Sequence, residues 1–462
     1  MKTFRLIFSF IIFYSCQDPY INRTHVKVPQ GLKIEKLLSP TADSLGSWVS
    51  LTHVKENLFV SSDQYGKIYW LNMPKIGSKD SVEVTQLNFK HLGKAQGLLW
   101  SHNSLYVMMN DRDIKNSGLY RLFDSSRDGQ LDSALFLKQL NGWGEHGPHG
   151  IELGPDNLIY VIAGNHTNLP DNYTSTSHST WGEDRIIKSM KDPNGHATDR
   201  RAPGGWIART DSLGSFWEIY SSGYRNAYDI AFNQLGELFT FDSDMEWDLG
   251  MPWYRPVRVC HVTSGSEFGW RTGSGKWPKY YPDNLPGILE VGQGSPTGIV
   301  SATASHFPPP YNSGLFVCDW SFGTMYHIAL QSSGASFTAT ASEFLNGTPL
   351  PLTDLTFGAE GAMYFTTGGR RLESGLYRVW SDKNDQKKEK ETASKNLELR
   401  RLLDTFHDTS FVADYDVIWE NIGNKDRYIA FSARIALENH GVNNWASYIN
   451  SETELNKKVA YG

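Results

Sequence analysis

The feature that most constrains this chain is a two-strand pattern that recurs along it. Each copy has alternating apolar and polar residues, a turn of two to four residues containing Gly, Asn or Asp, and a second alternating stretch. This pattern is typical of a β-hairpin. Five clear copies and a degenerate one, the fifth in chain order, begin at Val49, Gly97, Gly150, Asp229, His306 and Asp354.

A single hairpin cannot bury both of its faces, so the repeated units must pack on one another. Further apolar stretches follow most copies and give each unit about four strands, as in a propeller blade. The sequence therefore predicts an all-β fold, a six-bladed β-propeller over residues 30–380. The largest insertion, at residues 165–205, is polar, and loops of that length are usually functional or disordered.

The character of the chain changes after Trp380. Residues 381–396 form a charged linker that is poor in apolar residues. Residues 397–462 predict a small helical, HEAT-like appendage of three or four short helices. In its best segment Tyr428, Phe431 and Ile435 recur at helical spacing, and Gly441 is a plausible C-cap. The appendage is expected to dock a partner or to pack on the propeller.

The first 16 residues read as an export signal. Lys2 and Arg5 precede an apolar run from Leu6 to Tyr14, which is too short to span a bilayer. The Ser15-Cys16 pair resembles a bacterial lipoprotein box, so Cys16 is the expected lipid anchor. Simple cleavage and an uncleaved anchor are the alternatives. This segment predicts a cell-envelope protein, periplasm-facing or on the outer membrane.

Charge and cysteine usage exclude some functions. The net charge of −6 argues against nucleic acid as a partner. No CxxCH motif occurs, so the chain carries no c-type haem site of its own. Beyond Cys16, the two remaining cysteines are Cys260 and Cys318, which form either two buried thiols or one disulfide.

Polar residues just before the first strand of a blade converge at one mouth of a propeller, because those strands line the central channel. His146 and His149 precede the third copy, and Arg225 and Asn226 precede the fourth. The sequence therefore predicts that these four side chains meet. Imidazole suits proton transfer near neutral pH.

The motifs H-x-x-x-φ-x-φ-G-P-D-x-x-I-Y and G-Y-R-N-x-x-x-φ-x-F resemble those of soluble pyrroloquinoline-quinone (PQQ) sugar dehydrogenases and the related glucose/sorbosone dehydrogenases. The block from Asp242 to Arg271, with DMEWD and HVTSGSEFGW, resembles the propeller of large membrane-bound dehydrogenases of planctomycetes and related bacteria. The resemblance implies a six-bladed propeller and PQQ-dependent oxidation of a sugar or sugar-derived alcohol or aldehyde. Electrons would pass to a separate acceptor, such as a cytochrome.

The resemblance also implies roles for individual residues. His146 falls at the position of the family's general base, and Arg225 at that of an arginine near the quinone oxygens, with Asn226 as a hydrogen-bond partner. Calcium holds the quinone in that family. The resemblance places Asp242, Asp244 and Glu246 at the metal loop, and carboxylates are suitable calcium ligands.

One segment departs from the family pattern. The soluble sugar dehydrogenases have two arginines just before the first strand of the last blade, whereas GTPLPLTDLTF has no basic residue here. Arg370 and Arg371 follow the hairpin instead, and they either reach the channel or lie on the surface. His149, Arg258 and Arg370 complete the candidate cofactor-binding residues.

Each candidate also has a structural interpretation. His146 and His149 can be hydrogen-bonded channel residues, Arg225 can pair with Asp229 or Asp242, and the acidic loop can bridge blades without a metal ion. Propellers host many functions. A non-redox carbohydrate-binding protein and a quinone-free hydrolase or lyase in the same channel are therefore alternatives to the dehydrogenase.

Overall fold

The structure is a computed structural model that describes residues 26–177, 181–182, 190, 200–271, 277–383, 391–454 and 457. Twenty-six strands of this part of the chain form six sheets, five of them four-stranded. Each sheet is one blade of a ring, so the predicted six-bladed β-propeller is confirmed. The predicted lipid-anchor residue Cys16 and residues 384–390 of the charged linker lie outside the described residues.

The blades are numbered in chain order, and the innermost strand of each is given first. Blade 1 contains β2 (Trp48–Lys55), β3 (Leu58–Asp63), β4 (Ile68–Asn72) and β5 (Glu83–Gln86). Blade 2 contains β6 (Ala95–Ser101), β7 (Ser104–Met109), β8 (Gly118–Phe123) and β9 (Ser133–Gln139). Blade 3 contains β10 (Pro148–Leu153), β11 (Ile159–Ala163), β13 (Gly205–Thr210) and β14 (Glu218–Tyr224), with the short β12 (Thr174–Ser175) and β18 (Ser266–Glu267) alongside β14.

The other three blades follow the same plan. Blade 4 contains β15 (Ile230–Phe232), β16 (Leu238–Asp242), β17 (Val257–Val262) and β19 (Leu289–Gly292). Blade 5 contains β20 (Pro296–Ser301), β21 (Leu315–Asp319), β22 (Thr324–Ser333) and β23 (Ser336–Asn346). Blade 6 contains β24 (Leu352–Phe357), β25 (Met363–Thr367), β26 (Gly375–Ser381) and, at its outer edge, β1 (Leu32–Leu38).

The two ends of the propeller chain close the ring inside blade 6. Strand β1 pairs antiparallel with β26, so the last sheet is completed by the first strand. The buried guanidinium of Arg378 donates to Glu35 of β1 from Nε at 2.8 Å and from Nη2 at 2.5 Å. The inner strands contact one another in order, and β24 of blade 6 returns to β2 of blade 1.

Five of the six inner strands have a register shift close to their first residues. A shift of this kind is a β-bulge, which leaves a residue outside the ladder and turns its side chain. The residues passed over by these shifts include Val49, Gln96, His149, Thr297 and Thr353. All five point toward the same end of the channel.

Glycines let the inner strands approach closely at the axis. A Cβ atom on Gly97 of blade 2 would lie 2.4 Å from the His149 carbonyl oxygen of blade 3. A Cβ atom on Gly150 would lie 2.3 Å from an oxygen of Asp229 in blade 4. Larger residues at either position would push neighbouring blades apart.

Five of the six predicted hairpins coincide with the first two strands of a blade. The copy predicted to begin at His306 is placed differently, because the inner strand of blade 5 is β20, which ends at Ser301. Residues 305–314 connect β20 and its short 3-10 turn to β21 instead. The run Pro308 to Pro310 lacks N–H donors for a central ladder. Cys260 and Cys318 are both buried free thiols, so they are not joined in a disulfide.

Four α-helices follow the propeller in the described residues: α1 (Lys395–Thr405), α2 (Tyr415–Asn421), α3 (Arg427–Asn439) and α4 (Ala446–Ser451). Short 3-10 turns lie at Gly144–His146, Ala302–Ala304 and Val442–Asn444. The predicted helical pattern is confirmed in α3, which buries Tyr428, Phe431 and Ile435. The helices pack on blades 3 and 4 in one apolar cluster. None of the described helices is long and apolar enough to cross a membrane.

A buried ionic cluster fixes the helices to blade 4. Glu237, in the turn between β15 and β16, accepts hydrogen bonds from Arg400 at 2.6 Å and from Arg401 at 2.7 Å. The Nε2 atom of His261 lies 2.7 Å from the same carboxylate. Burial alone would raise the pKa of Glu237, but the His261 hydrogen bond and the two arginines hold it at about 2.

We expect Glu237→Gln to destabilise the fold by about 2 kcal/mol, because it removes one of the two carboxylates that pair with the buried Arg400 and also the partner of the partly exposed Arg401. The folded-state pKa of Glu237 lies below its ordinary value of 4.5. Its contribution is therefore present above pH 4.5 and is lost as the pH falls toward 2. Urea unfolding across this pH range measures both effects. Glu83→Gln, at an exposed site on β5, is the matched control. Equal stability of the two variants would contradict the assignment.

Candidate active site

A cavity of about 620 Å³ opens at the end of the channel where the inner strands begin. Its floor takes side chains from all six blades: Val49, Gln96, His149, Tyr228, Thr297 and Thr353. Five of these floor residues are the ones displaced by the β-bulges, and Tyr228 directly precedes β15. The volume lies in the range of pockets that hold small ligands. We call this space the main cavity.

His149 is the one histidine of the main cavity among the described residues. Its Nε2 atom lies 3.1 Å from the Oδ1 atom of Asn226, whose amide nitrogen donates to the Glu145 carbonyl at 3.1 Å. The Asn226 oxygen is therefore the acceptor, and Nε2 carries the ring proton. The Nδ1 atom keeps its lone pair, is buried, and has no hydrogen-bond partner among the described residues. The ring also stacks on Tyr228 with a centroid distance of 4.3 Å.

Burial lowers the pKa of His149 from 6.5 to about 4, because a charged imidazolium would lose its hydration. Contacts with Asn226 and with the Glu145 carbonyl partly oppose that shift. The ring is consequently neutral at neutral pH. It can accept a proton at Nδ1 while Asn226 fixes its orientation.

Cationic and aromatic side chains surround the opening of the main cavity. Lys94 of blade 2 forms an ion pair with Asp111 at 2.8 Å. The guanidinium of Arg112 lies over the ring of Trp143, 5.5 Å from its centroid. Two positive charges remain in excess, since four cationic side chains and two carboxylates line the cavity.

The other two cations come from the loop after β25. Arg371 lies over the Tyr65 ring at 5.0 Å, and Arg370 lies over the Trp320 ring at 5.0 Å. Both arginines have left-handed backbone, with φ of 51° and 64°. That conformation is costly for residues with a Cβ atom. The sequence left two alternatives for Arg370 and Arg371, the channel or the surface. The structure places both arginines at the mouth of the channel.

An ion pair crosses the mouth between opposite blades. Arg370 of blade 6 contacts Glu145, which precedes blade 3, at 2.5 Å. A second cavity of about 380 Å³ adjoins the main cavity there. Glu145, Asn226, Ser295, Pro296, Trp320 and Arg370 border both spaces. We call the second space the side cavity.

The side cavity has polar walls built mainly from blades 4 and 5. Arg225 lies there, and its Nη1 atom donates to the hydroxyl of Ser243 at 3.0 Å. The other lining residues are Asp244, Glu246, Gln293, Gly294, Ser321 and Phe322. Burial raises the pKa of Asp244 to about 6, an effect that Arg225 opposes and Glu246 reinforces. The guanidinium of Arg225 contacts Ser243, and it pairs with neither Asp229 nor Asp242, the two partners that the structural interpretation suggested.

Asp242 is buried, and donors surround its carboxylate. The backbone N–H groups of Arg225, Asn226 and Ser243 reach it at 3.1, 3.0 and 3.0 Å, and the Arg258 guanidinium reaches it at 3.0 Å. Asp242 thus fixes the backbone that carries Asn226 and is not available to a metal ion. The guanidinium of Arg258 is bound to Asp242 in this cluster, and Arg258 lines neither cavity.

The residues present do not fit the calcium site that the sequence predicts at Asp242, Asp244 and Glu246. Asp242 is saturated by N–H donors, whereas a calcium ion needs several oxygen ligands at once. Across the described residues no group of three His, Cys, Asp or Glu side chains is arranged to hold a metal ion. Asp244 and Glu246 face the side cavity instead.

His146 is buried behind the main cavity. Its Nδ1 atom lies 2.5 Å from Asn165, and its ring lies against His166 at 4.6 Å. It lines neither cavity. The structure therefore brings His149, Asn226 and Arg370 together, places Arg225, Asp244 and Glu246 next to them, and leaves His146 and Arg258 outside.

Below the floor a narrow channel contains three carboxyl groups: Glu152, Asp229 and Asp354. Two of these carboxylates, Asp229 and Asp354, accept a backbone N–H from the inner strand of a neighbouring blade. Asp229 accepts the N–H of Ile299 at 3.1 Å, and Asp354 accepts that of Leu51 at 2.6 Å. Burial raises the pKa of Glu152 to about 8 and that of Asp229 to about 7. Partial protonation reduces the repulsion between these groups.

Sequence reasoning missed Lys94, Asp111, Arg112, Trp143 and Trp320 at the opening. Most of them follow the second strand of a hairpin, whereas the prediction considered residues that precede the first strand. A second signal marks the floor: a polar residue and a glycine open the inner strands in Gln96-Gly97, His149-Gly150 and Thr297-Gly298. That recurrence aligns His149, and not His146, with the floor residues of other blades.

Comparison with known proteins places the chain by its fold. No protein-family model and no curated protein matches it. A solved Thermus thermophilus oxidoreductase described as a glucose dehydrogenase is 18% identical, with a TM-score of 0.53, over 76% of this chain and 100% of that one.

Two further solved structures are similar. The PQQ-bound aldose sugar dehydrogenase of Streptomyces coelicolor is 15% identical, with a TM-score of 0.52, over 76% of this chain and 100% of that one. A Trichoderma reesei carbohydrate-active enzyme of family AA12 is 12% identical, with a TM-score of 0.54, over 77% and 98%. At these identities the similarity establishes the fold. The resemblance to planctomycete propellers stays a prediction.

The Asn226 contact gives a direct test of the histidine geometry. We expect Asn226→Asp to raise the pKa of His149 by one unit or more, because a carboxylate beside Nε2 stabilises the imidazolium. Histidine ring ¹⁵N shifts followed against pH measure this. Asn88→Asp, at a distant site in blade 1, is the control. An unchanged pKa in Asn226→Asp would show that the two side chains are not in contact.

Proposed function

We propose that this protein is a PQQ-dependent oxidoreductase that oxidises a sugar, or a sugar-derived alcohol or aldehyde, beside His149. The observation that carries the proposal is the main cavity itself. It combines four cations and aromatic walls at the opening with a neutral, oriented histidine at the floor. The proposal is also supported by the fold, which this chain shares with solved sugar dehydrogenases.

The residues of the main cavity fit PQQ, which is planar and carries three carboxylates. Arg112 and Arg371 would bind carboxylates, since their guanidinium groups contact ring faces and have no carboxylate partner in the ion pairs described above. Lys94 and Arg370 would add positive charge. Tyr65 and Trp143 offer flat surfaces for the ring system.

PQQ, when bound, supplies a quinone that takes up a hydride from the substrate carbon. The protein supplies orientation and a proton acceptor. Nδ1 of His149, which is buried and has no hydrogen-bond partner among the described residues, would accept the proton of the substrate hydroxyl as the substrate is oxidised to a carbonyl compound. Asn226 holds the ring through Nε2, and Arg225 in the adjoining cavity favours negative charge on a substrate oxygen. This assigns to His149 the role that the family resemblance implies for His146.

PQQ titration of the purified full-length chain tests the proposal. We expect saturable binding, weakened about tenfold by Arg371→Gln and about a hundredfold when Arg112→Gln is added, because each substitution removes a charge-assisted contact. Higher ionic strength should also weaken it. Quenching of protein fluorescence measures the affinity. Binding followed by dye-coupled sugar turnover would support the dehydrogenase.

Arg127→Gln, in an exposed turn of blade 2, is the matched control and should bind PQQ as the parent chain does. Absence of binding up to about 100 μM, which corresponds to about 5.5 kcal/mol, would reject the quinone. A non-redox carbohydrate site, or a quinone-free hydrolase or lyase, would then account for the cavity.

We further propose that the protein is exported and held at the cell envelope by acylation of Cys16, and that it passes electrons to a separate acceptor there. The lipoprotein-like Ser15-Cys16 pair supports the location. We expect Cys16→Ser to lose incorporation of a palmitate analogue and to move from the membrane fraction to the soluble fraction. Continued labelling would place the acyl group elsewhere.

A further inference from the structure

The side cavity provides a second binding space next to the proposed quinone site. At about 380 Å³ it is within the size range of pockets that bind small ligands. It adjoins the main cavity at Asn226, the residue that holds His149. A molecule whose reacting group lies beside His149 therefore has room to extend into it.

The walls of the side cavity suit a hydroxyl-rich ligand. Asp244 and Glu246 can accept hydrogen bonds from hydroxyl groups, whereas Arg225 and Gln293 can donate to ring and hydroxyl oxygens. Trp320 offers an aromatic surface on which the C–H face of a sugar ring packs. A ring with hydroxyls at its edge and C–H groups on its faces matches both kinds of wall.

Aromatic residues continue from the cavity to the surface. Phe322, at its edge, is 55% exposed, and Tyr254 is 41% exposed and interacts through its hydroxyl with Asp244. Trp253 is 44% exposed beside it. Exposed aromatic side chains around a polar cavity favour a ligand longer than one ring.

We propose that the side cavity binds the second ring of a neutral oligosaccharide whose first ring lies beside His149. This inference rests on the proposed function and names its substrate class as disaccharides or longer sugars. Asp244 and Glu246, which the sequence suggests as metal ligands, are specificity residues for sugar hydroxyls. Their charge also disfavours acidic sugars, since two carboxylates would face a third.

Calorimetry on the full-length chain tests this with glucose, cellobiose, maltose and cellobiouronate, a disaccharide whose second ring carries the acid group, as probes. We expect at least one of the neutral disaccharides to bind about tenfold more tightly than glucose, and cellobiouronate to bind more weakly than cellobiose. Asp244→Asn and Glu246→Gln should each lower the disaccharide affinity about tenfold, because each removes a hydrogen bond to an ionised acceptor. A chelator should leave disaccharide binding unchanged.

Asp80→Asn and Glu83→Gln, both in blade 1 away from the mouth, are the matched controls. Thermal unfolding of each variant confirms that it folds. Equal affinity for glucose and the disaccharides, wild-type affinity in Asp244→Asn and Glu246→Gln, or loss of binding on chelation would each overturn the proposal.

Parallel PQQ titrations separate this inference from the proposed function. Disaccharide binding without PQQ binding keeps the oligosaccharide site and rejects the quinone. PQQ binding without a preference for disaccharides keeps the quinone and rejects the side cavity as a sugar subsite.

Discussion

The close packing of six inner strands around one axis is the constraint on which the rest of this structure depends. Gly97 and Gly150 permit it, because a Cβ atom at either position would collide with the next blade. Five of these inner strands bulge near their first residues. The bulges turn one residue per blade toward the mouth, where bulges commonly re-aim functional side chains.

The chemistry of the mouth follows from this arrangement. Each blade contributes a floor residue from the start of its inner strand, and most blades contribute opening residues from the loop after the second strand. Positive charge collects on the loops of blades 2 and 6, whereas the carboxylates Asp244 and Glu246 lie on blade 4. The two cavities thus have different electrostatic character, although they share a wall. The left-handed backbone at Arg370 and Arg371 is local strain of the kind found at ligand sites.

The C-terminal helices act on the same scaffold from the other end of blade 4. Glu237 lies at the far end of β15 from Asn226, and it binds two arginines of α1. The helices also bury apolar residues of blades 3 and 4 in a common cluster. Blades 3 and 4 carry His149, Asn226 and Asp242, so the helices support the part of the propeller that positions the proposed proton acceptor.

The sequence by itself determined the architecture. Period-two alternation around short turns is a local property, and its recurrence required blades packed in a ring. It also located the helical segment and the general position of the mouth. The predicted fifth hairpin is misplaced, because the inner strand of blade 5, β20, lies upstream of the proline-rich segment at residues 308–310.

Only the tertiary structure decided which polar residues share a cavity. His146 and His149 are three positions apart: His146 lies in the 3-10 turn before β10, behind the wall, whereas the bulge in β10 turns His149 to the floor. Arg371 of blade 6 lies over Tyr65 of blade 1 because the ring closes between these blades, and Arg370 forms an ion pair with Glu145 across the channel mouth. Both pairs are separated by more than 200 residues in the sequence. Asp242 is saturated by N–H groups, whereas Asp244 two residues later faces a cavity. Such outcomes depend on side-chain direction and on long-range packing, which residue spacing does not specify.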